Sequence, residues 1–255
     1  MVTEVPSNNE ILGISLADEI HNLFDYKTGD VDDDAFAIAL LFLLESFYTK
    51  YNSKSLDYIS SNYESDLDDL EKRLNRKSEE GLNSLFQTQE ETTMKELGVP
   101  ESNYSKVKNP NSPKTVITAV TDTIKAFINQ LRDDIRVKLS VWKADVGKKA
   151  SDFKITANLQ RAVKRLKTTI KYATFAVKQK AQRGIFKVAY GEEALYKWVC
   201  YGPNPCEWCL KNQASSPRKV DEWELDHPNG HCGLEVVKEK FIDDFNELVG
   251  GVDDD

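Results

Sequence analysis

The sequence predicts a mainly α protein with a small C-terminal α+β module of short antiparallel strands that carries cysteines and histidines. Three observations support this fold class. Two long segments in the middle of the chain have apolar residues at three- and four-residue steps, the period of an amphipathic helix. After Gly184 the pattern changes to short aromatic and β-branched runs, which are typical of strands. All four cysteines lie in this last part, from Cys200 to Cys232.

Residues 1–100 are predicted to form an acidic helical region, with 8 Lys and Arg against 21 Asp and Glu. Helices are expected to begin near Ser15 and Asp32, and residues 67–97 are predicted to form a further long helix. The apolar run 35–44 is ten residues long, whereas a membrane-spanning helix needs roughly 20. The first residues lack the basic start and apolar core of a secretory signal, so we expect a cytoplasmic protein that does not enter membranes.

A linker is predicted at residues 101–113, which hold two prolines, three asparagines and three serines. Residues 114–188 are predicted to form a basic region of two long helices, at 114–146 and 155–183. Residues 101–190 hold 20 Lys and Arg against 6 Asp and Glu. The second helix carries four lysines near one face: Lys164, Lys167, Lys171 and Lys178. These lysines either form a solvated face that the acidic regions neutralise, or bind double-stranded DNA phosphates without sequence specificity.

Residues 189–240 are predicted to form a Cys/His-clamped module, and residues 241–255 an acidic tail. Strands are expected at 196–202 and 234–237. The C-x2-C pair Cys206 and Cys209 is a common half-site for tetrahedral zinc. His227 and Cys232 would supply the other half, and Cys200 and His231 are further candidates. The alternative is a metal-free module in which the thiols pack as small apolar groups and His227 holds a turn by hydrogen bonding.

The order of these features resembles the C-terminal module of the phage Mu F-like head morphogenesis family. A long basic helix leads to a strand with Trp198, then to C-x2-C, a loop and H-P-x-G-x-C before a closing strand. The residues that match the family pattern are Cys206, Cys209, His227, Pro228 and Cys232. Gly230 stands where many members have another cysteine, and His231 stands where arginine is frequent. The resemblance covers residues 160–237, about a third of the chain.

This resemblance implies a minor head protein (minor capsid protein) of a tailed bacteriophage, a virion component without enzymatic activity. The implied partners are the portal protein, the major capsid protein, or both, with packaged DNA as a further candidate. The implied location is the interior of the phage head, and the host cytoplasm during assembly. Zinc is the candidate cofactor of the Cys/His cluster.

Three other functions compete with this interpretation. An HNH-type metal-dependent nuclease would use His227, which follows Asp226, to activate water. No histidine and no second C-x2-C follow Cys232, so further ligands of such a site are missing. A redox protein would use C-x2-C, but no βαβ pattern surrounds it. A DNA-binding or scaffold protein outside phages is the third alternative. The phosphate-loop, dinucleotide-binding, nucleophile-elbow and H-E-x-x-H motifs are absent from the sequence.

Overall fold

The computed structural model describes residues 56–144, 157–201, 204–223, 232–237 and 241–250. The helices expected near Ser15 and Asp32 therefore lie outside the described residues. The chain forms two compact units. The first contains the described residues 56–81, 117–144 and 157–170, and the second contains residues 82–116 and those from 171 onward. Each unit combines separate stretches of the chain, so the units do not follow the order of the regions predicted from the sequence.

Three long helices dominate the described chain and confirm the mainly α fold class. Helix α1 spans Leu56–Glu96, α2 spans Lys114–Ala144 and α3 spans Ala157–Tyr190. Helix α2 begins at the predicted residue. Helix α3 continues beyond its predicted end at Arg183, because buried apolar residues continue its helical period. Within the described ranges, no helix has both the length and the apolar character needed to cross a lipid bilayer.

The core of the first unit is built by apolar side chains of all three helices, including those of the apolar stripes predicted for α2 and α3. Burying such side chains contributes about 1.5–3 kcal/mol each. The residues that are at most 5% exposed in this unit include Leu67, Leu70, Leu74, Val120, Ile124, Phe127, Ile128, Leu131, Ile135, Leu139, Leu166 and Ile170. Their three- and four-residue spacing places them on one face of each helix, so the sequence period and the burial agree.

Arg132 connects α2 to α1 in the first unit. Its Nη2 lies 2.7 Å from Asp68 Oδ1, and its Nε lies 2.6 Å from Glu64 Oε2. The Nε contact is a close ion pair whose N–H is not aligned as a hydrogen bond. Arg136 also reaches Glu64, at 3.3 Å. Burial raises the pKa of the Glu64 carboxyl, but hydrogen bonds with Tyr63 and Arg136 and the charge of Arg132 outweigh it, so the net pKa is lowered.

The predicted linker at residues 101–113 is an ordered part of the second unit. It includes a 3₁₀ helix at Glu101–Lys106. Asn109 Nδ2 donates to the Ala181 carbonyl of α3 at 2.9 Å, and Asn111 Nδ2 donates to the Lys180 carbonyl at 2.9 Å. Asparagine amides thus supply the contacts that a segment poor in apolar residues cannot make by hydrophobic burial.

A three-stranded antiparallel sheet lies in the second unit and confirms the predicted α+β module. Strand β1 spans Leu195–Cys200, β2 spans Arg218–Lys219 and β3 spans Cys232–Val236, in the order β2-β1-β3. Helix α4, Glu207–Ala214, lies between β1 and β2 in the sequence, and helix α5, Asp243–Val249, follows β3. Strands β1 and β3 were predicted, whereas β2 and α4 were not, because neither carries a periodic apolar pattern of its own.

Candidate metal centre

An aromatic core fixes the elements that carry the cysteines. Tyr196 and Trp198 of β1 pack with Val220 and Trp223, and all four are at most 3% exposed. The Trp198 ring lies edge-on to Trp208 of α4, with 5.3 Å between centroids, and 5.5 Å from the Trp223 ring. Trp198 and Trp208 thus pack inside the module. These contacts hold α4 against the central strand, as edge-to-face aromatic pairs do in protein cores.

Cys200 and Cys232 face each other across two strands. Cys200 is the last residue of β1 and Cys232 the first of β3, and the register pairs them directly. Directly opposite side chains in an antiparallel pair lie on the same face of the sheet. Their Sγ atoms are accordingly 3.2 Å apart. The register of the sheet therefore brings together two thiols that are 32 positions apart in the sequence.

Cys206 and Cys209 form a second pair at the start of α4. Cys206 is the N-cap residue, and Cys209 lies in the first turn, 1% exposed. Residues three apart in a helix are neighbours on its surface, and the two Sγ atoms are 3.5 Å apart. The partial positive charge at a helix N-terminus favours negatively charged groups, so this position suits thiolate ligands.

The sheet pair and Cys209 of the helix pair meet in one cluster. The Sγ atoms of Cys200, Cys209 and Cys232 all lie within 4.8 Å of one another, close enough to hold a metal ion. The four cysteines are thiols rather than disulfides. Tetrahedral Zn²⁺ has Zn–S bonds of about 2.3 Å, which place neighbouring sulfurs roughly 3.8 Å apart. The Cys200–Cys232 and Cys206–Cys209 sulfur separations, 3.2 Å and 3.5 Å, are slightly shorter than that value. A set of soft sulfur donors suits zinc or another thiophilic ion.

A hydrogen bond between Tyr201, which follows β1, and Glu235 of β3 lies beside the cluster. Tyr201 donates its hydroxyl hydrogen to Glu235 Oε1 at 2.9 Å. Its ring covers Gly233, where a Cβ atom would lie only 3.0 Å from the Tyr201 Cε2. Burial, and then the hydrogen bond and negative charge of Glu235, raise the pKa of Tyr201. The absence of a side chain at Gly233 therefore leaves space for the Tyr201 ring next to Cys232.

The structure assembles part of the ligand set predicted from the sequence. Cys209 and Cys232 lie in the cluster, and Cys206 lies beside it, with its sulfur 3.5 Å from that of Cys209. His227, Pro228 and His231 lie outside the described residues. Cys200, one of the further candidates, belongs to the cluster. The signal that identifies Cys200 is its place at the end of a strand, opposite a cysteine that begins the closing strand. That pairing requires the register, which residue spacing does not provide.

The predicted DNA-binding lysines lie on α3. The side chains of Lys164 and Lys167 are outside the described set, and those of Lys171 and Lys178 are half-buried. Lys180 donates to Thr115 Oγ1 at 2.8 Å. Arg161 and Arg165 are exposed and line a cleft of about 490 Å³ in the first unit, together with Thr123, Phe127 and Gln130.

Comparison of the chain with protein-family models, with curated protein sequences and with solved structures gave no match in any of the three.

Proposed function

We propose that this chain is a minor head protein of a tailed bacteriophage, a component of head assembly without enzymatic activity, whose C-terminal module binds zinc. One observation carries the proposal. The Cys209 sulfur lies within 4.8 Å of that of Cys232 and 3.5 Å from that of Cys206. The strand before C-x2-C pairs with the strand that begins at Cys232. These are the elements that the Mu F-like resemblance leads us to expect, in the same order and in one module.

The chemistry of the cluster supports a structural metal over a nuclease metal. Within the described residues, the thiols form the one group of three or more His, Cys, Asp or Glu side chains close enough to share an ion. Thiolates select Zn²⁺ and similar soft ions, whereas the Mg²⁺ of phosphoryl-transfer enzymes prefers oxygen ligands. A structural zinc also suits a small module of short strands, in which a bound metal adds stability to a single compact core.

The charge pattern supports assembly partners of two kinds. The acidic N-terminal 100 residues and the acidic C-terminal residues offer surfaces for the portal protein or the major capsid protein. The basic middle of the chain offers contacts for packaged double-stranded DNA. The exposed Arg161 and Arg165 line a cleft and are candidates for phosphate contacts, because a guanidinium binds phosphate oxygens in a fixed fork geometry. Such binding would be independent of sequence and would weaken steeply as salt rises.

Quantitative mass spectrometry of purified virions from the encoding phage tests the proposal. We expect this chain at a low copy number per particle, and its absence from clean virions would refute the head-protein function. In parallel, the purified full-length protein is incubated with plasmid DNA and Mg²⁺, Mn²⁺ or Zn²⁺. We expect no cleavage, whereas metal-dependent cleavage that a His227→Ala substitution abolishes would favour the nuclease.

A further inference from the structure

The geometry points to Cys200 as the fourth ligand of a closed zinc site formed by Cys200, Cys206, Cys209 and Cys232. This inference rests on the zinc binding proposed above and specifies the residues that hold the ion. The sequence motif alone places His227 in the position that we assign to Cys200.

The pairing of β1 with β3 carries the first step. Cys200 and Cys232 are register partners, and their Sγ atoms are 3.2 Å apart. This separation is shorter than the roughly 3.8 Å between sulfurs in a tetrahedral zinc site. A zinc ion bound to Cys232 would therefore also coordinate the Cys200 sulfur once the distance between the two sulfurs increases by about half an ångström.

Helix α4 supplies the other two ligands. The Cys209 sulfur is buried and lies within 4.8 Å of both the Cys200 and Cys232 sulfurs. The Cys206 sulfur is 3.5 Å from that of Cys209. Cys206 is exposed, so its side chain has room to turn about its Cα–Cβ bond toward an ion held by the other three. The two sheet sulfurs and the Cys209 sulfur thus face one point, and the Cys206 sulfur would reach it by this rotation.

The coordination number of zinc completes the argument. Structural zinc sites bind four ligands in a closed tetrahedron, whereas catalytic sites keep one position for water or substrate. The four cysteine sulfurs fill that tetrahedron without a histidine. A zinc ion held in this way has no open position, so it would stabilise the module and would not activate water.

Cobalt substitution of the full-length reduced protein tests this ligand set. Co²⁺ bound by four thiolates differs in its charge-transfer and d–d absorption from Co²⁺ bound by three thiolates and an imidazole. We expect the first pattern for the wild-type protein, with one ion per chain. His227→Ala should leave the spectrum and the affinity unchanged. Cys200→Ser should weaken binding by more than about 100-fold, beyond the 10–100-fold cost of losing an outer-shell partner. Cys200→His should restore binding with a shifted d–d band.

Two results would overturn the inference while leaving the zinc proposal intact. One is a wild-type spectrum of three thiolates and an imidazole, and the other is a loss of binding in His227→Ala with none in Cys200→Ser. If the wild-type protein binds neither Zn²⁺ nor Co²⁺ under reducing conditions, both the zinc proposal and this ligand set are refuted. In that case, mass spectrometry of purified virions still tests the head-protein function separately. If neither Cys200 variant folds, the wild-type spectrum decides between the two ligand sets.

Discussion

Individual charged residues of the second unit have structural roles that their sequence context conceals. Arg183 belongs to α3 and comes after several exposed or half-buried cations of that helix in the sequence. Its own side chain is buried. Its Nη1 donates to the Trp223 carbonyl at 2.6 Å, and the Arg218 guanidinium lies 5.1 Å from the Trp223 ring centroid. Charged donors make strong hydrogen bonds to buried carbonyls. Arg183 therefore stabilises the aromatic core of the module and is not available to bind DNA.

Glu90 is a residue at which ionisation opposes folding. Burial, and also the charge of Glu91, raise the pKa of Glu90, and a hydrogen bond with Asn109 offsets this in part. Because the pKa of Glu90 is raised in the folded state, its contribution to stability is fully present below the unfolded-state pKa, near 4.5. That contribution is lost as the pH rises through the folded-state pKa. Glu90→Gln removes this loss. We therefore expect a higher Tm than wild type at pH 7 and a difference that shrinks toward pH 4.

Thermal unfolding at several pH values measures this effect of Glu90→Gln. Glu91→Gln is the matched control, since Glu91 is exposed and its substitution should change the Tm less. A Tm for Glu90→Gln that equals or falls below that of wild type at pH 7 would contradict the argument from burial.

At the scale of single elements, α3 depends on a glycine in its interior. Alanine is normally better than glycine there by about 0.5–1 kcal/mol. At Gly184, however, a Cβ atom would lie 1.6 Å from Asn109 Oδ1. Asn109 is held in place because its side chain donates to the Ala181 carbonyl and accepts from the Asn111 amide. We expect Gly184→Ala to lower the free energy of unfolding by about 1–3 kcal/mol, the usual cost of overpacking.

Urea denaturation of a double-mutant cycle tests the cause of this cost. In the Asn109→Ala background the obstructing side chain is gone, so Gly184→Ala should be neutral or stabilising. Equal costs in both backgrounds would show that the contact with Asn109 is not the reason for the glycine.

The ion pairs between α1 and α2 should stabilise the first unit modestly. The Arg132 side chain is 19% exposed and contacts both Glu64 and Asp68. Arg132→Met keeps most of the apolar stem and removes the charge, so we expect a loss of about 0.2–1 kcal/mol at pH 7. Because the pKa of Glu64 is lowered in the folded state, its ion pairs contribute stability above the unfolded-state pKa of 4.5. This contribution is lost as the pH falls through the folded-state pKa.

Denaturation at pH 7 and at pH 3 separates the ionic part of this effect. The wild type and Arg132→Met should converge in stability at the lower pH. Arg136→Met is the control, because the Arg136 side chain is 60% exposed and should contribute less. An unchanged difference at pH 3 would indicate lost packing as the cause.

The elements that the sequence could predict are those with a periodic apolar pattern of their own. Helix α2 repeats apolar residues at helical steps, and β1 is aromatic and β-branched, so both were predicted. Helix α4 and β2 are short and polar, and they form because the aromatic core around Trp198 holds them. The candidate site follows the same rule. The C-x2-C pair is visible as spacing, whereas the role of Cys200 emerges only from the register of β1 with β3.

For the whole molecule, some of the acidic and basic residues that alternate along the chain pair with each other within the fold. Residues 1–100 have a net charge of −13, residues 101–190 of +14, and residues 191–255 of −9. In the first unit the acidic Glu64 and Asp68 pair with the basic Arg132. In the second unit Lys187 pairs with Asp221. Contacts of this kind neutralise part of the basic middle internally, which leaves a smaller set of cations for a phosphate backbone.

Removal of the metal should affect one part of the molecule and spare the rest. The thiol cluster joins β1, α4 and β3, whereas the long helices α1 and α2 contain none of its residues. Because binding energy at a structural zinc site is folding energy for the elements that it joins, a chelator should expose the module to protease. Far-UV circular dichroism should keep most of its helical signal, because α1, α2 and α3 hold most of the described helical residues.

Limited trypsin digestion with mass spectrometry, applied to reduced zinc-loaded protein before and after EDTA, measures this localisation. We expect new cleavage at Lys197, Lys211, Arg218 and Lys219, reversal by added Zn²⁺ and no reversal by Mg²⁺. Cleavage sites that do not change on chelation would show that the aromatic core holds the module without a metal. Loss of the helical signal together with the module would show that both units depend on the ion. The expected pattern, a local opening, is the one that follows from a zinc whose ligands all belong to the second unit.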